Sequence, residues 1–351
     1  MEFYKLQVTS KEKLIRNAVK ITFAVPENLR SHFRYNAGQY ISLKIKGNRR
    51  EYSLCSSPLD SDLSIGVKAV PSGQISLYLV NKLQVGDSVE VSRPYGFFGI
   101  SNKPGSKRTI LAFAGGSGIT PILSIARYIL QTEAKADFLL FYFNKSTESV
   151  MFYDELNALQ LEYPTNFQLY FSYTQQQSAD SLFKGRMTAD NIQFIIQRLR
   201  GNSNLEKVLI CGPDSMRKKI TDVAKGIGID VNDVHYERYT ADNDTLTTFQ
   251  APIAIDPSEE VLVSLTKDGV TRQLTWNKQK PLLQALLNAG IDAPYSCARG
   301  QCGTCVCKLE EGEVRLRRNF VLLEPHLQSG LILPCVAVPV SERIKINYDD
   351  F

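Results

Sequence analysis

The residues of this 351-residue chain best suited to hold a metal centre are its seven cysteines. Three of them, Cys297, Cys302 and Cys305, lie together in the stretch CARGQCGTC. Thiols packed this closely act either as disulfide partners or as metal ligands. A chain of this length buries an ample core without cross-links, and its first ten residues, MEFYKLQVTS, lack the features of a signal peptide. We therefore interpret the thiols as ligands and expect a cytoplasmic, reducing environment.

The spacing of the thiols narrows the choice of metal centre. The three cysteines follow a C-x4-C-x2-C pattern, and Cys335 comes after a further 29 residues. Zinc sites usually pair thiols in two CxxC units or combine them with His. A CxxxxCxxC run with one remote cysteine is instead the plant-type spacing of a [2Fe–2S] cluster. The two glycines of the loop would let backbone N–H groups approach the inorganic sulfides. A zinc site, or four unrelated buried cysteines, is the alternative interpretation.

The composition excludes several other classes of function. Hydrophobic residues make up 43% and charged residues 22% of the chain, as in ordinary globular proteins. The net charge is only +5 and no block of Lys or Arg stands out, so we expect neither nucleic-acid nor lipid binding. The three histidines form no spaced set. The longest apolar stretch, ILAFAGGSGITPILSIA, is interrupted by glycines and Pro121, so we expect no membrane span.

The hydrophobic pattern predicts two domains before residue 240. Residues 1–103 contain short alternating runs separated by turn residues, which predicts an antiparallel sandwich or barrel. Residues 108–239 alternate apolar strands with helices: TILAFA, TPILSIARYILQTEA, DFLLFYFN and VMFYDELNALQLEY, with EKVLICG as a later strand. This alternation predicts a parallel sheet flanked by helices.

A polar segment, residues 240–258, is predicted to be a linker to a third domain, residues 259–351. That domain begins with two strands and a helix, KPLLQALLNAG, with Gly290 suited to end the helix. It carries 11 basic and 11 acidic residues, so its overall charge indicates no strong steering of a partner. Cys55 and Cys307, outside the four-thiol pattern, are predicted to be core residues.

The last domain resembles plant-type ferredoxins, whose fold is a β-grasp. The resemblance implies that Cys297, Cys302, Cys305 and Cys335 ligate the [2Fe–2S] cluster. Such a cluster moves one electron at a time, whereas a nicotinamide donates two as hydride. A flavin that separates the pair is therefore expected elsewhere in the chain.

Residues 1–103 carry two motifs that resemble the flavin site of the ferredoxin–NADP reductase superfamily. In RREYSLCSSP, Arg50, Tyr52 and Ser53 match the RxYS signature. This signature supplies a guanidinium for pyrophosphate, an aromatic ring for the isoalloxazine face and a hydroxyl near its N5 edge. The second motif, GVKAVPSGQIS, resembles the phosphate site of the superfamily, where a helix start binds an anion. Its candidate cofactor-binding residues are Val67, Lys68, Gly73, Gln74 and Ser76.

Residues 108–239 carry three motifs that resemble the nicotinamide site of the same superfamily. FAGGSGITP departs from the usual GxGxxG fingerprint but is similar to the superfamily's own nucleotide loop. CGP is similar to the place where a cysteine lies beside the nicotinamide, and ERY to the place where relatives carry Glu-Arg-Phe beside the flavin. The candidate residues are Gly115, Gly116, Gly118, Thr120, Pro121, Lys145, Cys211, Gly212, Pro213, Glu237 and Tyr239. The hydroxyl of Tyr239 is a departure from the family pattern.

The order of the motifs resembles one group of reductases, which serve phenylacetyl-CoA epoxidases, ketosteroid hydroxylases and hybrid-cluster proteins. This resemblance implies an antiparallel β-barrel flavin domain, an α/β parallel-sheet nucleotide domain and a β-grasp ferredoxin domain. It implies that electrons pass from NADPH or NADH through FAD and the [2Fe–2S] cluster to a separate oxygenase, as in phenylacetate degradation. The residues implied to be catalytic are Tyr52, Ser53, Cys211 and Glu237.

Three alternatives remain open at the level of sequence. Phthalate dioxygenase reductase shares the domain order but uses FMN, so an FMN-dependent reductase of a Rieske dioxygenase is one. A hybrid-cluster-protein reductase and a non-catalytic, zinc-bearing redox sensor are the others. The donor is also open: Lys145, Ser146 and Ser149 favour the 2′-phosphate of NADPH, whereas Tyr173 stands where many NADPH reductases place Arg.

Overall fold

In the computed structural model the chain forms two compact units, one spanning Phe3–Asn243 and the other Asp244–Phe351. The structure describes residues 2–175, 187–202, 204–237 and 260–350, without the side chains of 200–202 and 231. The predicted linker, residues 240–258, and the candidate Tyr239 lie outside the described residues.

The first unit begins with an antiparallel sheet. Its elements are β1 (Phe3–Ile15), β2 (Ala18–Ala24), β3 (Tyr40–Ile45), β4 (Asn48–Ser53), β5 (Leu63–Lys68), helix α1 (Gln74–Asn81) and β6 (Ser88–Ser92). The strand order is β4-β3-β6-β1-β2-β5, and each described pairing is antiparallel. Inward residues such as Leu6, Ile21 and Leu43 are fully buried, as the alternating pattern requires. The predicted antiparallel β-barrel is confirmed.

The same unit continues into a parallel sheet flanked by helices. Its elements are β7 (Thr109–Gly115), α2 (Ile119–Thr132), β8 (Asp137–Asn144), α3 (Tyr153–Glu162), β9 (Phe167–Tyr173), α4 (Ala189–Asn202), β10 (Leu205–Cys211), α5 (Asp214–Gly226) and β11 (Val234–Glu237). The order is β11-β10-β7-β8-β9, with parallel pairings throughout. Every residue of β7 is buried, because helices cover both faces of such a sheet. This architecture confirms the predicted α/β domain.

A buried ion-pair network fixes the polar connection between the two sheets. Arg108 is 1% exposed. Its guanidinium donates to Glu133 at 2.8 and 2.6 Å, to Glu206 at 2.8 Å and to the carbonyl of Ser101 at 2.7 Å. The backbone N–H of Lys103 donates to the same Glu133 carboxylate at 3.0 Å. The stretch SNKPGSKR, polar in sequence, is therefore anchored by its own charges.

The second unit contains a mixed sheet and a short two-stranded one. Its elements are β12 (Glu260–Lys267), β13 (Val270–Asn277), α6 (Leu282–Asn288), β14 (Cys307–Glu311), β15 (Val314–Leu316), α7 (Glu324–Gln328), β16 (Leu331–Ile332), β17 (Ala337–Pro339) and β18 (Arg343–Asn347). The larger sheet has the order β13-β12-β18-β14-β16, and β15 pairs with β17. Helix α6 packs its leucines against β13 and β17. Gly290 follows the helix with φ +73°, the left-handed conformation that ends a helix. A five-stranded sheet with a packed helix agrees with the predicted β-grasp.

No helix within the described ranges has the length and apolar character needed to cross a membrane. Cys55 and Cys307 are buried, as predicted, and burial raises the pKa of both thiols.

Candidate functional site

Two of the residues predicted to be catalytic, Ser53 and Cys211, donate hydrogen bonds to the carboxylate of a third, Glu237. Ser53 ends β4, and its Oγ donates to Glu237 Oε2 at 2.9 Å. The thiol of Cys211 donates to the same oxygen at 3.9 Å. Cys211 and Glu237 are direct register partners on β10 and β11, so both lie at the carboxyl edge of the parallel sheet, where open α/β sheets bind ligands. Ser53 and Cys211 are buried, at 3% and 0% exposure.

The other two residues of the RxYS signature lie on the same strand as Ser53. Arg50 and Tyr52 share one face of β4, because side chains alternate along a strand, and Ser53 points to the other face. Both residues pair with β3, Arg50 with Leu43 and Tyr52 with Ile41. Tyr52 is half-buried and packs its ring against the barrel core.

The predicted phosphate motif forms a helix start, as expected. Gly73 is the N-cap of α1 and Gln74 is its first residue. The Ser76 hydroxyl donates to the Gly73 carbonyl at 3.0 Å and accepts the N–H of Val70 at 3.3 Å. The N–H groups of the first helical turn, rather than the Ser76 hydroxyl, are therefore the donors best placed for an anion.

The two remaining candidates of this motif end β5. The side chain of Val67 is fully buried, so only its backbone could contact a cofactor. Lys68 is half-buried, and burial, followed by the nearby charge of Lys145, lowers the pKa of its ammonium group. Gly66 lies two residues earlier, on the same face of the strand. A Cβ on Gly66 would lie 2.6–2.9 Å from the side chains of Thr120 and Phe152, so these two residues pack directly against it. Lys68 therefore faces the nucleotide loop of the parallel sheet.

The three glycines of the nucleotide loop have different roles. A Cβ on Gly115 would lie 2.7 Å from Pro213, and one on Gly118 would lie 2.1 Å from the Cys211 carbonyl oxygen. A Cβ on Gly212 would in turn lie 2.6 Å from Met216 Cε and 3.0 Å from the backbone nitrogen of Gly115. Two of the glycines that the sequence interpretation assigned to the cofactor thus let the CGP loop pack closely.

Gly116 is the member of this loop that borders open space. It has φ +55°, and a Cβ there would meet nothing within 4 Å. Its carbonyl accepts the hydroxyl of Tyr142 at 2.9 Å. Tyr142 is fully buried on β8, and burial raises the pKa of its hydroxyl, which keeps it a donor. Sequence reasoning missed Tyr142; the only signal was a hydroxyl-bearing residue between two phenylalanines in the strand.

Thr120 and Pro121 occupy the first turn of α2, as predicted. Proline has no backbone N–H, but an N–H at this position would have no partner within the helix. Pro121 therefore costs the helix no hydrogen bond. The Thr120 hydroxyl donates to the Ser117 carbonyl at 3.1 Å, and the residue is 2% exposed. Thr120 therefore shapes the loop from inside.

The residues that bear on the choice of nucleotide follow β8 and β9. Lys145 is exposed. Ser149 Oγ accepts the N–H groups of Lys145 and Ser146 at 3.1 and 3.0 Å and donates to the Ser146 carbonyl at 2.6 Å. Ser149 therefore closes the turn, and Lys145 with Lys68 provides the positive charge at this edge of the sheet.

The predicted cysteine loop directs hydrogen-bond donors at sulfur atoms. Cys297 Sγ accepts the N–H groups of Arg299 and Gln301, both at 3.4 Å. Cys335 Sγ accepts the N–H of Gly300 at 3.3 Å. Cys302 Sγ accepts the N–H of Cys297 at 3.5 Å and the hydroxyl of Thr304 at 3.2 Å. Donors aimed at sulfur stabilise the negative charge of thiolates and of a reduced cluster.

The thiols fall into two groups. Cys305 and Cys335 are buried and hydrogen-bonded through their side chains, whereas Cys297 and Cys302 are half-buried. Within the described residues, no three Cys, His, Asp or Glu side chains converge as ligands of a single metal ion. A two-iron cluster takes two protein ligands on each iron, so two pairs of thiols fit it.

Family models match the three segments in the predicted order. An oxidoreductase FAD-binding domain matches residues 5–100, an oxidoreductase NAD-binding domain residues 113–222, and a 2Fe-2S iron-sulfur cluster binding domain residues 265–340. The enzyme therefore uses FAD, a [2Fe–2S] cluster and NAD(P)H.

Named relatives cover almost the whole chain. It is 33% identical to one of the subunits of 1,2-phenylacetyl-CoA epoxidase of Escherichia coli K12, over 99% of this chain and 98% of the relative. It is 32% identical to the ferredoxin reductase component of 3-ketosteroid-9-alpha-monooxygenase of Rhodococcus rhodochrous, over 93% and 92%. The solved structure of phthalate dioxygenase reductase covers 98% of both chains at 25% identity, with a TM-score of 0.60. The chain therefore belongs to the family of NAD(P)H-dependent flavin and iron–sulfur oxidoreductases that includes these oxygenase reductase components.

Proposed function

We propose that this protein is the reductase component of a separate oxygenase, of the phenylacetyl-CoA epoxidase type. The observation that carries the proposal is the convergence of Ser53 and Cys211 on Glu237 at the carboxyl edge of the parallel sheet. The relative from Escherichia coli, similar along nearly its whole length, supports the class of oxygenase.

The residues around this convergence have distinct proposed roles. Bound FAD supplies the conversion of a two-electron hydride donor into single electrons, two for each NAD(P)H. Tyr52 offers an aromatic face for the flavin and Ser53 a hydroxyl at its edge. Glu237 holds that hydroxyl at 2.9 Å. Cys211 would border the nicotinamide. No general base is needed for hydride transfer, since the hydrogen moves with its electron pair.

The cluster ligands follow from the same proposal. Cys297 and Cys302 would hold one iron and Cys305 and Cys335 the other, in keeping with the two groups of thiols. The N–H groups of the loop would stabilise the reduced cluster.

The proposed donor is NADPH. Lys145 and Lys68 carry positive charge at the edge where β8 and β5 end, and a 2′-phosphate is the group that distinguishes NADPH from NADH. A Lys145→Met variant should raise KM for NADPH about 10-fold or more, the loss of one charged hydrogen bond, and leave KM for NADH unchanged. Lys135→Met, an exposed lysine at the amino end of β8, is the matched control. Equal effects on both nucleotides would contradict NADPH as the donor.

The experiment that tests the function is a visible spectrum of anaerobically purified protein. We expect flavin peaks with added iron–sulfur absorbance, and bleaching of both on addition of NADPH. Anaerobic addition of an excess of the purified, oxidised oxygenase part of phenylacetyl-CoA epoxidase, which then accepts the electrons, should restore the oxidised spectrum. A colourless protein, or one that NAD(P)H does not bleach, would refute the reductase role; bleaching without reoxidation by that oxygenase would refute only the proposed acceptor.

A further inference from the structure

A run of arginines lies against the cysteine loop of the second unit. The backbone N–H of Phe320 donates to the Gly300 carbonyl at 3.0 Å, and a Cβ on Gly300 would lie 3.0 Å from the Arg318 carbonyl. The N–H of Arg317 donates to the carbonyl of Val336, next to Cys335, at 2.9 Å. The chain at Arg317 and Arg318 therefore borders both segments that carry the thiols.

The arginine side chains of this run reach solvent. Arg315, Arg317 and Arg318 are all exposed, and we call these three residues the basic face. The Arg317 guanidinium donates to the neutral carbonyl of Gln279 at 2.7 Å. Over the described part of the chain, no member of the basic face forms an ion pair with a carboxylate.

The carboxylates of this unit are placed differently. Glu310 pairs with Lys345 at 2.9 Å, and Asp350 with Lys308 at 3.0 Å. Glu311 ends β14, four residues from Cys307 at the start of that strand, which is about 13 Å at the rise of an extended chain. Asp292 and Glu310 are the carboxylates nearest in sequence to the loop Cys297–Cys305, each five residues from it. Glu313, exposed and two residues before Arg315, is the carboxylate nearest in sequence to the basic face. The three arginines against this one carboxylate leave a surplus of positive charge in the segment, although the charges of the whole domain balance.

The more accessible thiols are those of the same loop. Cys297 and Cys302 flank Gly300 and are half-buried, whereas Cys305 and Cys335 are buried. An electron leaving a cluster held here therefore has its shortest path to solvent on the side of this loop. A positively charged partner would be repelled from that side by the basic face.

We propose that the basic face is the surface on which the cluster domain docks an acidic region of its electron acceptor. The proposal rests on the reductase function proposed above and specifies its partner surface. Opposite charges on two partners raise the encounter rate and orient the complex, and added salt weakens both effects. The acceptor surface that fits is a cluster of Asp and Glu side chains around its own redox centre.

The test uses two soluble haem proteins of opposite surface charge as acceptors, acidic cytochrome b5 and basic cytochrome c. The full-length reductase is mixed with excess NADPH and each acceptor, and background transfer that bypasses the cluster is measured with Cys335→Ser and subtracted. For Arg317→Glu/Arg318→Glu, kcat/KM for cytochrome b5 should fall about 10-fold or more at low salt. The difference should shrink to less than about twofold at roughly 0.3 M NaCl. The rate with cytochrome c should not fall.

Two further variants serve as controls for the charge reversal. Arg343→Glu reverses an exposed arginine whose carbonyl lies 2.4 Å from a Cβ built on Gly312, at the turn after β14, and should leave the cytochrome b5 rate within about twofold of wild type. Arg317→Gln/Arg318→Gln removes charge without adding any and should give a smaller loss in the same direction.

Each outcome decides between the proposals. Equal losses from Arg343→Glu, or a loss that persists at high salt, would overturn the basic face as a docking surface. Slower reduction of the enzyme's own cluster by NADPH in the Arg317 and Arg318 variants would also overturn it, because the arginines would then act within the reductase. A wild-type enzyme whose cluster NAD(P)H does not reduce would overturn the reductase function, and the docking proposal with it.

Discussion

Substitution of Gly118 by alanine tests the packing of the nucleotide loop. A methyl group at this position would lie 2.1 Å from the carbonyl oxygen and 2.5 Å from the carbonyl carbon of Cys211. Both atoms belong to the backbone, so no side-chain rotation can relieve the overlap. Ordinary contact begins near 3.4 Å, and the loop and the end of β10 would therefore have to separate by roughly 1 Å.

This separation should lower both the stability of the protein and the rate of flavin reduction. Overpacking of a buried site destabilises a protein by about 1–3 kcal/mol. The functional loss should be larger, because Cys211 is the first residue of the CGP turn and also donates to Glu237. A displacement of about 1 Å at reacting groups lowers the rate about 100-fold. We therefore expect Gly118→Ala to slow flavin reduction about 100-fold.

Stopped-flow reduction of the flavin by NADPH, followed by absorbance, measures the expected effect. Thermal unfolding of the same samples reports the stability change. Gly226→Ala is the matched control, because a Cβ on Gly226 at the end of α5 would meet nothing within 4 Å. The control should react as wild type does, and its stability should be equal or up to about 1 kcal/mol greater. If Gly118→Ala reduced its flavin at the control's rate, the close contact with Cys211 would not position the site.

Three further outcomes follow from individual contacts. Tyr142→Phe removes the hydroxyl that holds the glycine loop, so KM for NADPH should rise about 5-fold with kcat and the melting temperature nearly unchanged; a fall in kcat alone would contradict this role. Thr304→Val removes the hydroxyl donor to Cys302 Sγ and should lower the cluster's reduction potential, because donors to sulfur stabilise the reduced state; Thr304→Ser should keep the wild-type potential in a spectroelectrochemical titration. Arg108→Met leaves the Glu133 carboxylate buried without its guanidinium and should reduce the free energy of unfolding by about 3–5 kcal/mol, whereas an unchanged denaturation midpoint would show that the network is dispensable.

Much of the fold could be predicted because local patterns carry it. Period-two alternation marked the antiparallel strands, and apolar strands followed by helices marked the parallel sheet. The end of α6 at Gly290 was predicted from one residue, because glycine adopts φ +73° without strain. The anchoring of the polar connection by Arg108 and Glu133 could not be predicted, since buried charges differ from exposed ones only in their tertiary partners.

The candidate site was predictable in its members and not in its contacts. Ser53, Cys211 and Glu237 each stood in a recognisable motif, but the hydrogen bond of Ser53 to Glu237 joins residues 184 positions apart. Tyr142 was missed because a tyrosine in an apolar strand is ordinarily a packing residue. The positive surplus at the basic face was hidden in a domain whose charges balance.

The chemistry that the chain can hold follows from the order of its residues: four thiols at set spacing, the flavin and nucleotide motifs, and the succession of these motifs. These features are local, because covalent spacing along a loop or strand sets which atoms can reach one ligand. Folding, in contrast, sets which glycines pack against the CGP turn and which one borders open space. Folding also sets which arginines border the cysteine loop. Such relations depend on how strands are ordered in a sheet and how loops meet at its edge, and no periodicity in the chain records them.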